Sequence, residues 1–518
     1  MNKKRTIEIS IFFSIFLLFT ILVIMNYTIK VPNDGVLYIS AADHYIDKGS
    51  LVNTATYLNT NLDLEPYPTN QFLIVYFIVF LKLLFKEAWL FFYIVALSVL
   101  WTVLINKLIK FSKKNFLIKK NLLYIFPVLI FFNYDYLISA SSFYNEALYY
   151  PFLLFSLLKI NNSIEKKKNI FDKSFLLCLF LIIGIFFRLQ HLPLLASLMI
   201  FFLIFKKKKE FLYICFLTII SITVLYILIN NLNLKINITS TESQLYNFKD
   251  LPAIIIDKLK DNIPILSDEN LYDATLKNLR VHISIYVHFL NLPKLVDINL
   301  HNLDNSIKEI SYFIFSLMVL FFIAIDLIKK KLGKYEIFLI LYFIFTSIFL
   351  FLLNDYTSRY FLFTNFVVIF FFMKNFFIQK NLKLIIKPTL FLILVILSTY
   401  AFGYFNNTNT VNNTKIIHET LKEFKKNRDG YFDDKDIIIS GLRYNVFWIL
   451  GKPSLRPSIV LNDFKSLNPE NRYYYVGFDV YKYFSEESSY VKKIVNYSKI
   501  DAKSGKTFYI SRIYINDN

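Results

Sequence analysis

Residues 31–50, VPNDGVLYISAADHYIDKGS, place acidic side chains directly after a long apolar segment. Asn33 follows a proline and is a residue type that caps a helix beginning near Asp34. A carboxylate in the first helical turn faces the positive end of the helix dipole, which favours its ionised form. Such a carboxylate can act as a general base towards an incoming hydroxyl, with Tyr38 one turn further on the same face. The pattern makes Asp34 a candidate catalytic residue, although an acid that only begins a helix has the same appearance.

Other polar side chains stand at the ends of apolar runs. Arg188 and His191 in FFRLQH and Arg359 in SRYF fall at the expected outer ends of such runs. A guanidinium presents a planar fork that suits a phosphate, while an arginine that only snorkels to the interface has the same position. Glu146 in YNEALYY is a second carboxylate that could bind an acceptor or position an arginine. Glu65 in LDLEPYP could line the same cavity.

The composition indicates that these groups are positioned by a membrane protein. The 518 residues are 56% hydrophobic and 19% aromatic, with a mean hydropathy of +0.46. Soluble domains rarely reach such values, and apolar runs recur over the first 400 or so residues. The net charge of +20 comes from lysine clusters between apolar segments, which favours membrane topology over nucleic-acid binding. Cys178 and Cys215 fall within apolar segments and indicate neither a disulfide framework nor a metal cluster.

Basic clusters mark cytoplasmic loops, and the sequence carries them at 3–5, 106–120, 159–173, 206–209, 329–334 and 374–387. If all of them lie inside, about eleven spans follow and the N-terminus is cytoplasmic. These spans are predicted at 7–29, 88–106, 121–139, 147–158, 174–187, 190–205, 211–230, 308–328, 336–353, 361–373 and 388–404. The apolar stretch 71–85 cannot also cross, because it would reverse the side of every later cluster. It is therefore predicted to be an interfacial or re-entrant helix on the outer side.

The predicted architecture has a transmembrane catalytic domain, 1–404, with outer loops at 30–87 and 231–307. It is followed by an extracytoplasmic domain, 405–518. This tail alternates strand-like runs (DIIIS, YYYVGF, TFYISRIYI) with polar helical stretches such as NNTKIIHETLKEFKKN. The expected fold is an all-α polytopic membrane protein with a small C-terminal α/β domain.

Five motifs in order resemble the GT-C superfamily of membrane glycosyltransferases, in particular the protein O-mannosyltransferase and aminoarabinose transferase branch. DGVLYISAADHYIDKG is similar to the first-loop signature D-E-x-x-Y-x-x-x-A…G, with glycine in place of the second acid. PYPTNQFLIVYFIVFLKLLFK resembles the stretch before an interfacial helix, and SASSFYNEALYY resembles the segment that carries an acid at Glu146. FFRLQHLPLL is similar to a hairpin with an arginine at its tip, here Arg188. NDYTSRYFLF matches an R-Y-x-x-P segment at Arg359 and Tyr360 but lacks the proline.

The resemblance implies transfer of a sugar from a polyprenyl-phosphate carrier to a hydroxyl on the outer face, with inversion. The acceptor would be a lipid, a glycan or a protein. Asp34 would be the base, and Arg359 with Tyr360, helped by Arg188, would hold the carrier phosphate. Glu146, Tyr38, Glu65 and His191 complete the expected substrate-binding set. The departing phosphate needs no protonation, so a paired acid of the glycosidase kind is not required.

No D-x-D occurs in the first loop, so neither a metal nor another cofactor is expected. The expected partners are membrane lipids, the carrier-linked sugar and the acceptor, and the expected location is a bacterial cytoplasmic membrane. Three other functions fit the sequence less well. A transporter or flippase of lipid-linked sugars needs no outer base and usually buries polar residues along its spans. A glycan polymerase or ligase would use diphosphate-linked donors and a long outer loop, for which 231–307 qualifies. A non-catalytic scaffold would bind a partner through the tail.

Overall fold

The structure is a computed structural model of the 518-residue chain. It describes residues 33–67, 72–116, 145–165, 175–188, 191–231, 332–352, 409–427, 435–462, 464–478, 491–501 and 507–515, most of 366–374, and isolated positions at 13–21, 126–130 and 253. The predicted spans 7–29, 121–139, 308–328 and 388–404 and the loop 231–307 lie wholly or largely outside these residues, whereas residues 366–371 and 373 of the predicted span 361–373 are described.

Eight helices have defined bounds in the described part of the first 404 residues, and residues 366–371 are also helical. Their bounds are α1 Asn33–Lys48, α2 Phe72–Phe85, α3 Trp89–Asn115, α4 Glu146–Glu165, α5 Phe175–Phe187, α6 Leu192–Ile204, α7 Lys208–Asn231 and α8 Lys334–Leu352. From α2 onward each helix contains a long apolar run that must be covered by other helices or by lipid. Several begin or end close to the predicted spans, although α3 and α4 continue well beyond them.

Two described helical stretches are long and apolar enough to cross a membrane: Phe72–Asn115, which contains α2 and α3, and Lys208–Leu228 in α7. Leu192–Ile204 is a shorter apolar helix. One side of α7 leaves large apolar side chains exposed, among them Leu212, Phe216 and Ile219. Water would disfavour such a continuous apolar face, whereas lipid would not.

A sharp turn separates α2 from α3. The 3₁₀ turn Lys86–Ala88 begins with Lys86 at a φ of 45°, a left-handed conformation that reverses the direction of a helical chain. The Phe85 ring stacks on Phe92 across this turn, with 3.6 Å between the ring centroids. Phe77 lies 6.0 Å from Tyr93, a distance that a straight helix through both residues would not allow. Residues 72–115 therefore form two helices packed on each other.

The helical core is centred on α4, which packs against α3, α5 and α8. The indole of Trp101 in α3 donates a hydrogen bond to the backbone carbonyl of Ala147, 2.9 Å away, at the start of α4. Three turns further along α4, the hydroxyl of Tyr335 donates to the carbonyl of Leu157, 3.1 Å away. These polar contacts fix α4 along its length, and α6 completes this part of the core by packing against α7 and α8.

A mixed seven-stranded sheet lies beside the helices. Its strands are β1 Val52–Tyr57, β2 Leu64–Pro66, β3 Asp436–Ile439, β4 Ser454–Leu455, β5 Arg472–Phe478, β6 Val491–Asp501 and β7 Thr507–Ile515. The order across the sheet is β2-β1-β4-β3-β5-β7-β6. The strands β1, β4, β3 and β5 run parallel to one another, whereas β2 is antiparallel to β1, β7 is antiparallel to β5, and β6 is antiparallel to β7. The first loop thus supplies two strands to a sheet whose other strands come from the tail.

The tail contributes helices to the two faces of this sheet: α9 Asn409–Asn427, α10 Arg443–Leu450 and α11 Pro457–Asn462. Neighbouring residues of β3 enter opposite apolar clusters. Ile438 packs with side chains of α9 and α10, whereas Ile437 and Ile439 pack on the other face with Leu455 and Val460. A strand that is covered on both faces has apolar side chains at consecutive positions, which explains the sequence DIIIS. The predicted α/β region in the tail is present in the structure.

Candidate functional site

The helix α1 begins at Asn33, so Asp34 lies in its first turn, as the capping pattern predicts. The side chain of Asp34 is outside the described residues. All seven residues from 36 to 42 are buried, including Tyr38 one turn after Asp34. A helix lying on a surface would expose one face, so this burial places the first half of α1 inside the protein.

Three neighbouring elements enclose α1. The helix α2 packs along it, with the rings of Tyr45 and Tyr76 edge to face at 5.2 Å. Near the exposed end of α1 the ammonium group of Lys82 pairs with the carboxylate of Asp43. The strand β1 and the helix α10 cover other parts of α1. The tail therefore contacts the helix that carries the candidate base.

Glu146 and Arg188 form an ion pair inside the helical core. Both side chains are almost completely inaccessible, 0% and 3% exposed, and Arg188 Nη2 donates to Glu146 Oε1. Glu146 begins α4, and Arg188 directly follows α5. The side-chain amide of Asn145 donates to the backbone carbonyl of Phe187, 2.7 Å away. A buried pair of this kind is maintained only with good geometry, because each charge alone would be poorly solvated.

His191 lies next to this ion pair, at the start of α6. Its Nδ1 is 3.1 Å from the hydroxyl of Tyr149, which is one turn after Glu146 in α4. The imidazole rests on Gly184 in α5, where a Cβ atom would lie only 2.4 Å from the ring. Within the described part of the chain, Nε2 of His191 is buried and has no hydrogen-bond partner. The cluster thus joins two helix starts and one helix end through polar side chains.

Glu65 occupies a different place, at the junction of the first loop and the tail. Its carboxylate accepts a hydrogen bond from Asn53 Nδ2 at 2.7 Å and pairs with Arg456. Arg456 pairs with Oε1 of Glu65, whereas Arg443 Nη1 lies 3.6 Å from Oε2, the oxygen to which Asn53 donates. Glu65 is buried, while the two arginines are partly exposed.

Of the predicted site residues, the structure brings Glu146, Arg188 and His191 into one cluster. It places Tyr38 within the buried half of α1 and Glu65 in the junction with the tail. Arg359 and Tyr360 lie outside the described residues. Sequence reasoning did not find four other polar residues at these places: Asn53, Tyr149, Arg443 and Arg456. Tyr149 could have been found by its one-turn spacing from Glu146 on a helix. The tail arginines carry no comparable signal.

In the parts of the chain that the structure describes, no three His, Cys, Asp or Glu side chains converge as metal ligands would. That the reaction needs no metal stays a prediction.

No family model matches the chain, and no curated protein sequence matches it. Among solved structures, the chain is similar to the crystal structure of ArnT from Cupriavidus metallidurans bound to undecaprenyl phosphate. The alignment covers 98% of each chain at 8% sequence identity, with a TM-score of 0.42. This TM-score is too low for the similarity to establish a shared fold.

Proposed function

We propose that the chain is a multi-pass GT-C-type glycosyltransferase, in which Asp34 is the base that activates the acceptor hydroxyl. The sugar would come from a polyprenyl-phosphate carrier at the outer face of a bacterial cytoplasmic membrane. The observation that carries the proposal is the burial of α1 on all sides directly after Asp34. A carboxylate that only decorated a surface helix would not need this enclosure, whereas a base must be held in a fixed position.

The shared sheet supports the proposed topology. The strands β1 and β4 are adjacent, with Thr56 paired to Ser454, so the first loop and the tail lie on the same side of any bilayer. The lysine clusters assign both segments to the outer side. The acceptor would therefore approach Asp34 from the side on which the tail domain stands.

Contacts at the two ends of α2 favour an interfacial position for this helix. Phe72, at its start, lies 6.3 Å from Phe186 at the end of α5. Phe85, at its end, stacks on Phe92 in the first turn of α3. The lysine pattern puts the end of α5 and the start of α3 on the outer side, so both ends of α2 would be there. A 14-residue helix, about 21 Å long, would then run along the surface rather than across the membrane.

The buried ion pair refines the proposed roles of the arginines. Because Arg188 is engaged by Glu146, it would act mainly by holding α4 and α5 together at the site. Arg359 is then the stronger candidate for the carrier phosphate, since a guanidinium pairs with phosphate bidentately. Preorganised positive charge there would stabilise the departing phosphate in the transition state.

Sugar transfer tests the proposal directly. Membranes with wild-type protein and with Asp34→Asn would be compared for transfer from a panel of polyprenyl-phosphate sugars, at matched protein levels. We expect one donor to be used and the variant to lose about 10²-fold or more in rate. Asp43→Asn is the matched control, because Asp43 is on the same helix and pairs with Lys82 at the surface; this variant should retain most activity.

Equal transfer by wild type and Asp34→Asn would remove Asp34 from the mechanism. Absence of transfer from every monophosphate donor would contradict the proposed donor class. Diphosphate-linked donors, and then transport of lipid-linked sugars, would be the functions to test next.

A further inference from the structure

We propose that Glu65 is a positioning residue that fastens the tail domain to the first loop and so keeps α1 in place. We call Glu65, Asn53, Arg443 and Arg456 the Glu65 latch. This inference rests on the proposed function only for its activity measurement, because the latch itself is a structural contact that can be measured without substrate.

The latch joins parts of the chain that are far apart in sequence. Asn53 and Glu65 face each other in the β1–β2 hairpin, whereas Arg443 begins α10 and Arg456 directly follows β4. The buried Glu65 carboxylate accepts from Asn53 and Arg456 and is within ion-pair distance of Arg443. One carboxylate thus holds two guanidinium groups of the tail against one hairpin of the loop.

Backbone pairing holds this edge of the sheet only over a short length, although Ser466 in the tail also donates a hydrogen bond to Thr60 in the first loop. The strand β2 has three residues and pairs only with β1, and β1 meets the tail through one registered pair with the two-residue strand β4. Such short ladders contribute few hydrogen bonds, so side-chain contacts must decide whether the hairpin stays docked. Without the Glu65 charge, Arg443 and Arg456 would remain as two partly buried like charges.

The helix α10 connects the Glu65 latch to α1. Arg443 is the first residue of α10, and the helix packs on both α1 and β1. Val446 and Leu450 of α10 are buried in the tail core, while Tyr444 packs against the helical core. Because α10 packs in the tail core and against the helical core, it can shift only if one of these two cores shifts. Undocking the β1–β2 hairpin would therefore loosen the support of α1, in whose first turn Asp34 lies.

Hydrogen exchange of the full-length protein tests the latch without substrate. In Glu65→Gln we expect exchange to speed up by about 10-fold or more across residues 52–66 and in α10, with α4 unchanged. Arg472→Gln is the matched control. It breaks a pair with the buried carboxylate of Asp436 that lies wholly within the tail, so exchange should rise in β3 and β5 but not in residues 52–66.

Activity distinguishes positioning from a substrate contact. If the latch only positions α1, Glu65→Gln should lower kcat by roughly 10- to 10²-fold through misplacement of the base. The KM for the carrier-linked sugar should change little, because a residue that only positions α1 does not contact the donor. A large rise in KM with unchanged kcat and unchanged exchange would instead make Glu65 a substrate ligand and overturn the inference.

A cross-link provides the rescue. Thr56 and Ser454 are paired neighbours on β1 and β4, both buried, which suits a disulfide between the loop and the tail. Thr56→Cys/Ser454→Cys would be introduced into Glu65→Gln, in a chain whose Cys178 and Cys215 are replaced by alanine. Oxidation should restore slow exchange and kcat towards wild type, and reduction should reverse both effects.

The latch is wrong if exchange in residues 52–66 is the same in wild type and Glu65→Gln. It is equally wrong if the oxidised cross-link restores slow exchange but leaves kcat low. If wild type transfers no sugar at all, the proposed function fails, and the exchange measurements still decide whether Glu65 fastens the tail to the loop.

Discussion

The imidazole of His191 lies directly against Gly184, so closely that a Cβ atom at position 184 would be 2.4 Å from Cε1 and Nε2 of the ring. Gly184 is within α5 and His191 precedes α6, so this contact sets how closely the two helices approach each other. The same histidine meets the hydroxyl of Tyr149 in α4. A side chain at 184 would overlap the imidazole, so either the ring or α5 would have to shift.

Gly184→Ala should therefore destabilise the protein although alanine favours helices. We expect a loss of about 1–3 kcal/mol, as for overpacking of a filled core, and reduced sugar transfer. The measurement is the midpoint of thermal unfolding in detergent. Gly441→Ala is the control, because a Cβ at 441 meets nothing within 4 Å. His191→Ala combined with Gly184→Ala should recover part of the lost stability, and a fully stable Gly184→Ala would contradict the observed contact.

The pair formed by Glu146 and Arg188 gives a second prediction. Removing one charge leaves the other buried without compensation, so Glu146→Gln should cost about 3–5 kcal/mol. Glu146→Leu/Arg188→Met removes both charges and should be more stable than Glu146→Leu alone or Arg188→Met alone. Thermal unfolding of the two single variants and the double variant measures the coupling between the residues.

The pair of Lys435 with Glu470 is the matched control for this cycle. Its side chains are 65% and 75% exposed, and the charges are 3.9 Å apart. Glu470→Gln should therefore cost less than about 1 kcal/mol. Equal losses of unfolding free energy in Glu146→Gln and Glu470→Gln would mean that burial does not determine how much the Glu146–Arg188 pair contributes to stability.

Much of the helical part could be predicted because its signal is local. Apolar runs and lysine clusters predicted helices at 174–187, 190–205 and 211–230, and the structure has α5, α6 and α7 there. The strand-like runs DIIIS, YYYVGF and TFYISRIYI became β3, β5 and β7. Each of these patterns reflects burial of neighbouring residues in one element, which a sequence records directly.

The pairing between loop and tail could not be predicted. The strand β1 has the sequence VNTATY and β2 only LEP, and neither shows a strong alternation. The strand β6 contains two adjacent lysines, Lys492 and Lys493, because it is an edge strand with an exposed side. A substrate contact of Glu65 stays a prediction, and nothing in LDLEPYP indicates arginines that are almost four hundred residues away.

A third prediction concerns pH and the tail domain. Burial lowers the pKa of His418 below its ordinary value of 6.5, and the nearby charge of Lys422 lowers it further, while a hydrogen bond with Asn445 opposes the shift. The unfolded chain then binds a proton more readily than the folded one. The contribution of the neutral His418 to the stability of the tail is complete above pH 6.5. It is lost as the pH falls through the lower pKa of His418 in the folded state.

Thermal unfolding followed through the tail at about pH 7.5 and 5.5 measures this effect. The difference between the unfolding midpoints at the two pH values should be larger in wild type than in His418→Gln. Glutamine cannot titrate in this range but can still hydrogen-bond to Asn445. The remaining histidines and carboxylates are common to both proteins and cancel in the comparison. An identical pH dependence would mean that His418 titrates alike in the folded and unfolded chain.

The depth of α2 is the fourth prediction. Phe80 near the middle of α2 is 55% exposed, and Ile219 in the middle of α7 is 65% exposed. If α2 lies along the surface and α7 crosses, these two apolar positions should differ in depth by most of one leaflet, about 10–15 Å. Single cysteines at both positions, in a chain without Cys178 and Cys215, would carry a fluorophore in lipid vesicles. Lipids with a quencher near the headgroup should quench the label at 80, and a quencher near the chain end should quench the label at 219. Equal deep quenching of both labels would show that α2 crosses the membrane. Every lysine cluster from 106–120 onward would then lie on the side opposite to the predicted one. The tail would change sides with them and would no longer lie on the same side as the first loop. Since the adjacent strands β1 and β4 require a common side, shallow quenching at 80 is the result that reconciles the sheet with the charge pattern.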